Sequence, residues 1–111
     1  MSGLTIGSLE FEPPFDGETK QYDTIYYPTA PGVELQVFAT PALERVEIER
    51  IVHYNPAAQD IEYLTIPNGG TIVPYPTASE NPHISHWVDV YTKDNGTRVM
   101  YRVKIIVDQF G

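Results

Sequence analysis

The chain has 111 residues, a mass of 12.5 kDa and no cysteine, so it suffices for one domain and offers neither disulfides nor thiolate metal ligands. Fifteen acidic residues against seven basic ones give a net charge of −8, which repels phosphate backbones and anionic lipid headgroups. Nucleic acid is therefore excluded as an expected partner, and the absence of a run of about 18 apolar residues predicts no membrane insertion.

The first third of the chain predicts three short strands separated by proline and glycine turns. The first strand is expected over Leu4–Phe11 with a bend at Gly7, and it stops at the turn of residues 13–17, which contains two prolines and an Asp-Gly pair. A second strand is expected at Tyr22–Tyr27. The third, at Val33–Ala39, has an apolar residue at every second position and is expected to bury one face.

The middle of the chain contains a segment with two possible structures. The apolar residues of Leu43–Tyr54 fit both helical spacing and strand alternation. Their β-branched side chains and the neighbouring strands favour a strand, bulged near Arg50. Further strands are expected at Ile61–Ile66 and Thr71–Val73, and the segment Pro74–Pro82, with three prolines, is expected to be a surface loop.

The C-terminal part has the clearest pattern, an apolar residue at every second position of Val99–Val107, with the same alternation upstream at residues 88–90. Asn95-Gly96 lies between the two runs. Both residue types tolerate the positive φ that a type I′ turn requires, so the chain is predicted to end in a hairpin. Strands of this number and spacing predict one all-β domain over residues 1–111, a two-sheet immunoglobulin-like sandwich of about seven or eight antiparallel strands.

Both ends of the chain resemble the bacterial cadherin-like β-sandwich domains. The residues that carry the resemblance are Leu4, Thr5, Ile6, Phe11, Pro13, Phe15, Asp16, Thr19 and Tyr22, then Val33, Leu35, Val37, Ala39 and Pro41, and finally Val88, Val90, Asp94 to Thr97, Tyr101, Val103, Ile105 and Val107. The resemblance implies a cadherin-like sandwich and a non-catalytic module. Such modules usually stand in arrays on secreted or surface proteins, sometimes beside carbohydrate-active domains.

The sequence offers few residues for catalysis. His83 and His86 are three positions apart, on opposite faces of an extended chain, and His53 is distant in sequence, so we expect surface histidines and no zinc site. No serine has a Gly-x-Ser-x-Gly context, and carboxylates such as Glu47 and Glu49 alternate outward along a strand. We therefore expect no enzyme activity, no cofactor and no metal.

Carboxylates crowd the first corner of the chain. They are those of Glu10, Glu12, Asp16, Glu18 and Asp23. Calcium takes six to eight hard oxygen ligands, but no Asp-x-Asp run occurs here, so solvated edge charges are favoured and calcium binding in the Glu10–Asp23 corner stays open. Phe15 and Tyr22 are expected to anchor this corner, with the tyrosine hydroxyl bound to a backbone partner.

Aromatic residues indicate an interaction surface. Tyr26, Tyr27 and Tyr75, three of eight tyrosines, lie beside prolines at predicted loop ends, and tyrosine gives a large contact area at small entropic cost. Consecutive Tyr26 and Tyr27 point to opposite faces, so one is expected in the core. Trp87 is either a core residue, the favoured interpretation, or an exposed aromatic. The candidate interaction surface comprises Tyr26, Tyr27, Tyr75 and Trp87.

The expected function is that of a non-catalytic structural or interaction module. A start at Met1 without a basic segment and apolar run predicts synthesis in the cytoplasm without an export signal. This fits a standalone accessory protein of a bacteriophage virion, a capsid decoration or tail-associated protein whose partners are virion proteins or its own copies. The alternative is an adhesion or carbohydrate-binding module of a bacterial cell-surface or secreted protein, with a surface glycan as partner.

Overall fold

A computed structural model describes residues 2–16, 18–27, 33–41, 43–55, 62–74 and 83–108, which form eight β-strands and no helix. The strands are β1 (Gly3–Ile6), β2 (Gln21–Tyr26), β3 (Leu35–Thr40), β4 (Glu47–Asn55), β5 (Glu62–Ile66), β6 (Thr71–Ile72), β7 (His83–Asp94) and β8 (Thr97–Asp108). The all-β prediction is confirmed for this part of the chain. The ambiguous middle segment is a strand from Glu47 on, whereas residues 43–46 form a turn before it. The register of β4 on β7 shifts between Ile48 and Arg50, where a bulge was expected.

The strands form two sheets. One has three strands in the order β1-β3-β6, and the other has five in the order β2-β8-β7-β4-β5. All neighbours are antiparallel except β2 and β8, which run parallel from the pair Gln21 and Arg102 to the pair Tyr26 and Val107. The prediction of antiparallel strands throughout is therefore wrong at this pair. Parallel neighbours need a long connection, and here most of the domain lies between them.

The inward side chains of both sheets form one core. The three-stranded sheet contributes Leu4, Ile6, Val37, Ala39 and Ile72, and the five-stranded sheet contributes Tyr22, Ile51, Val88, Val90, Tyr101, Val103, Ile105 and Val107. The alternation predicted for β8 is confirmed, since Val103, Ile105 and Val107 are fully buried. Each such side chain stabilises the fold by roughly 1.5–3 kcal/mol, so the two sheets hold each other in place.

The predicted C-terminal hairpin is confirmed. Its turn residues Asn95 and Gly96 have φ values of 50° and 84°, as a type I′ turn requires. β7 and β8 then stay paired from Asp94 and Thr97 to the far end of both strands. Because these two strands are the second and third of five in the sheet, they give the outer face of the sheet a rigid centre.

The first corner is built on Tyr22, as expected. Its buried ring packs against Phe11 and Phe15, with ring centroids 5.7 and 5.3 Å away. Its hydroxyl accepts the backbone N–H of Asp16 at 3.3 Å and lies 3.2 Å from the Oδ1 atom of the same residue. The first strand is shorter than predicted, because Gly7 has a φ of 55° and leaves the extended conformation.

A side chain extends the three-stranded sheet beyond the end of β6. The pairing of β3 with β6 covers only Leu35 and Gln36. Further along β3, Asn68 accepts the N–H of Ala39 through Oδ1 and donates to its carbonyl through Nδ2, both at 2.8 Å. The amide thus takes the place of a neighbouring strand, because both backbone groups of Ala39 obtain a partner.

Candidate functional site

The outer face of the five-stranded sheet carries an aromatic row, which we define as Trp87, Tyr54 and Tyr63. The three residues are cross-strand partners on β7, β4 and β5, and Lys104 on β8 pairs with Trp87. Neighbouring strands lie about 4.8 Å apart, and the ring centroids of Tyr54 and Tyr63 are 5.1 Å apart in an edge-to-face arrangement. Tyr63 is 71% exposed, so the row meets solvent at the edge of the sheet.

A fixed ion pair lies beside the aromatic row. Arg102 donates from Nε to Oδ1 of Asp89 at 2.8 Å and from Nη2 to Oδ2 at 3.0 Å, the bidentate geometry that orients both groups. The Asp89 hydrogen bond is the main cause of a raised pKa at Arg102. The guanidinium also lies over the Trp87 ring, 5.0 Å from its centroid, and the Lys104 ammonium lies 5.5 Å from the same centroid. The cations therefore hold the indole in place.

Together these side chains form a shallow cleft, which we call the outer-face cleft. It has a volume of about 240 Å³ and is lined by Tyr54, Tyr63, Trp87, Asp89 and Arg102. Small-molecule pockets typically measure about 300–1,000 Å³ and enclose their ligand. The cleft is smaller than that, so it suits contact with part of a larger molecule.

A second cation–π contact lies on the same outer face, further along β7. Arg50 and Tyr91 are cross-strand partners, and the guanidinium carbon lies 4.3 Å from the ring centroid. Beyond it, Arg98 donates to Glu49 at 3.0 Å. Cation–π contacts at exposed sites are worth about 0.5–1 kcal/mol, so they order the surface more than they stabilise the fold.

The structure separates the residues of the predicted interaction surface. Tyr26 is half-buried and packs against the core, and burial raises the pKa of its phenol, whereas Tyr27 is 52% exposed. One residue of this pair therefore faces the core, as predicted. Trp87 lies on the outer face, so the core interpretation is wrong. Tyr75 lies outside the described residues.

Sequence reasoning missed Tyr54, Tyr63, Asp89 and Arg102 as site residues. The shared parity of Trp87 and Asp89 along one strand was a usable signal, because it places both side chains on one face. Their partners on other strands depend on the strand order, which the pattern of a single strand does not contain.

Two buried histidines form the second polar feature. His53 and His86 are 2% and 0% exposed, with His53 Nε2 2.9 Å from His86 Nδ1. The ring centroids are 5.1 Å apart with planes 21° from parallel. The ring centroids are farther apart than the two nitrogen atoms by about the sum of two imidazole radii. The hydrogen bond therefore points nearly along the line that joins the two ring centres. His53 lies opposite Val88, which makes His86 its diagonal neighbour across the strands.

The prediction of surface histidines is therefore wrong for these two residues; the side chain of His83 lies outside the described part. The pKa values of His53 and His86 are both lowered to about 4, mainly by desolvation, with a smaller contribution from His53 at His86. Nε2 of His86 is buried without a hydrogen-bond partner in the described structure. Both rings are neutral at pH 7, so the pair is a polar part of the core.

The acidic corner uses one of its carboxylates to build the turn. Asp16 accepts the backbone N–H groups of Glu18 and Thr19 and the Thr19 hydroxyl, at 2.7–2.8 Å. These bonds, the Thr19 backbone bond first, lower the pKa of Asp16 to about 2. A hollow of about 630 Å³ lies nearby, with Glu12 and Asp23 on its wall. Within the described ranges, no three His, Cys, Asp or Glu residues are grouped so that they could hold a metal ion.

Comparison with protein-family models, with curated proteins and with solved structures gives no match. Membership of the cadherin-like family therefore stays a prediction. Over the residues that the structure describes, no helix is long and apolar enough to cross a membrane.

Proposed function

We propose that this protein is a non-catalytic binding module with an immunoglobulin-like arrangement of strands. In the lettering of immunoglobulin domains, β1, β3 and β6 correspond to strands A, B and E of one sheet. The order β8-β7-β4-β5 corresponds to G, F, C and C′ of the other sheet. The parallel pair of β2 with the last strand fits this scheme as a first strand that divides between the two sheets. This correspondence supports the proposed fold class.

The outer-face cleft is the observation that carries the binding function. Tryptophan, tyrosine and arginine are the residue types that contribute most binding energy in protein interfaces, and Trp87, Tyr63 and Arg102 line this cleft together. Tyr63 is 71% exposed, so its ring adds little to the core. Trp87 and Tyr54 lie on inner strands of the sheet, and a surface that is already ordered loses little conformational entropy on binding.

We further propose that the module acts as an accessory protein of a bacteriophage virion, either on the capsid or on the tail, where it binds virion proteins or a surface. The net charge of −8 supports this role, because mutual repulsion keeps free copies apart until they assemble. Mass spectrometry of particles purified from the organism that encodes the chain tests the assignment. We expect several copies in each particle, and particles that lack the chain would refute the virion role.

The contact face is tested by co-sedimentation of purified protein with particles from which it has been stripped. Trp87→Ala is expected to weaken binding about tenfold or more, the loss typical of a central interface aromatic. Phe38→Ala is the matched control, because Phe38 is a 50% exposed aromatic on the three-stranded sheet. Equal losses in the two variants would contradict the assignment of the outer face.

A specific observation favours the adhesion or carbohydrate-binding module as the second candidate. The exposed ring of Tyr63 and a fixed arginine–carboxylate pair line the same cleft, and this combination suits sugars as well as proteins. A parent gene that encodes further surface or carbohydrate-active domains would favour this candidate.

A further inference from the structure

We infer that the outer-face cleft binds a neutral glycan, one or two sugar rings at a time. This inference rests on the proposed binding role of the outer face and specifies the chemistry of its ligand. A sugar ring presents an apolar C–H face and a rim of hydroxyl groups, so its site needs an exposed aromatic surface beside oriented polar groups. The cleft has both within about 240 Å³.

Tyr63 provides the stacking surface. Arg102 and Lys104 lie over the ring of Trp87, which leaves less of the indole for a ligand. Tyr63 is 71% exposed on the edge strand, and Tyr54 supports it in an edge-to-face contact at 5.1 Å. A sugar stacked on Tyr63 would therefore have Trp87 as a side wall.

The ion pair provides the polar contacts. Asp89 engages two of the five N–H donors of Arg102, and the arginine side chain is 40% exposed. The remaining donors are held in the guanidinium plane beside the aromatic row. Because the ion pair orients these donors before a ligand arrives, a hydroxyl group can bind them at small entropic cost.

The net charge of the chain disfavours a polyanionic ligand at the cleft. The carboxylate of Asp89 balances Arg102, and the chain as a whole carries a charge of −8, which repels polyanions. Aromatic and arginine side chains also serve protein interfaces, and the titration with oligosaccharides distinguishes a protein ligand from a glycan.

Trp87 makes the test specific, because it is the only tryptophan of the chain. The full chain is titrated with neutral oligosaccharides of glucose, xylose and N-acetylglucosamine in different linkages, and tryptophan emission is followed. We expect a saturable change in emission with at least one of them. Tyr63→Ala should weaken that affinity by roughly five- to tenfold, the value of one aromatic contact, whereas Phe38→Ala should leave it unchanged.

Two outcomes would overturn the glycan inference: no saturable change with any oligosaccharide, or equal affinity in Tyr63→Ala and wild type. Circular dichroism of each variant verifies that it is folded. The glycan inference can fail while the proposed binding function holds. If Trp87→Ala loses binding to particles while the oligosaccharides have no effect, the binding module stands and its ligand is a protein.

Discussion

Acid is expected to destabilise this fold through the buried His53–His86 pair. In the unfolded chain each imidazole titrates near its ordinary pKa of 6.5, whereas in the folded protein burial lowers both pKa values to about 4. Between these values the unfolded state binds more protons than the folded state. The free energy of unfolding should therefore be fully retained above pH 6.5 and should decrease as the pH falls towards 4.

The size of the effect follows from the same pKa values. At about 1.4 kcal/mol for each pH unit, the difference between 6.5 and about 4 corresponds to about 3 kcal/mol for one imidazole. Two imidazoles that both stay neutral down to about pH 4 should together reduce the free energy of unfolding by about 6 kcal/mol, and repulsion between the two added protons makes the second protonation harder still. Domains of this size have a total stability of about 5–15 kcal/mol, so much of it depends on these two rings.

Other ionisable groups act in different pH ranges. On the inner face of the five-stranded sheet, burial raises the pKa values of the phenols of Tyr26 and Tyr101, which moves them further above this window. Asp94 lies at the distant end of β7, where it binds Arg45. The three-stranded sheet faces the pair with aliphatic side chains. Asp16 has a pKa of about 2, so its contribution is lost only below about pH 4.

The assay is urea unfolding followed by circular dichroism, at about pH 7 and about pH 4.5. The double variant His53→Leu/His86→Leu is the control, since replacing both partners of a buried hydrogen bond by apolar groups is nearly neutral. Because it lacks both imidazoles, it should lose about 5 kcal/mol less than wild type between the two pH values. The single variant His86→Leu leaves His53 Nε2 without its partner and should cost about 1–3 kcal/mol at neutral pH. Equal acid losses in wild type and the double variant would refute the reasoning.

Three further predictions concern local structure and are measured as free energies of unfolding in urea. Tyr22→Phe removes the hydroxyl that binds Asp16 but keeps the ring, and should cost about 1 kcal/mol; a loss as large as that of Tyr22→Ala would show that the hydroxyl matters more than packing. Asn68→Ala removes both hydrogen-bond partners of the Ala39 backbone and should cost about 1–3 kcal/mol. An unchanged free energy of unfolding would show that water replaces the amide. Gly96→Ala places a Cβ in open space at a φ of 84°, so it should cost only about 1–2 kcal/mol of backbone strain, and a larger loss would indicate a contact in the turn.

The sequence by itself determined the features that depend on neighbouring residues. Alternation over Val99–Val107 predicted which side chains β8 buries, Asn95-Gly96 predicted the hairpin, and β-branched residues around Arg50 predicted a bulged strand. Each depends on the φ and ψ preferences of a few consecutive residues, or on the two faces of a single strand. A short segment of the chain therefore contains all the residues that decide each of these features.

Only the tertiary structure decided which strands become neighbours. The parallel alignment of β2 with β8, the hydrogen bond between His53 and His86, and the alignment of Tyr63 and Tyr54 with Trp87 all depend on the order and register of strands. That register is set where whole sheets bury their inner faces against each other, not by any single segment. Isolated tyrosines and histidines in the sequence thus become an aromatic row on the outer face and a neutral pair in the core.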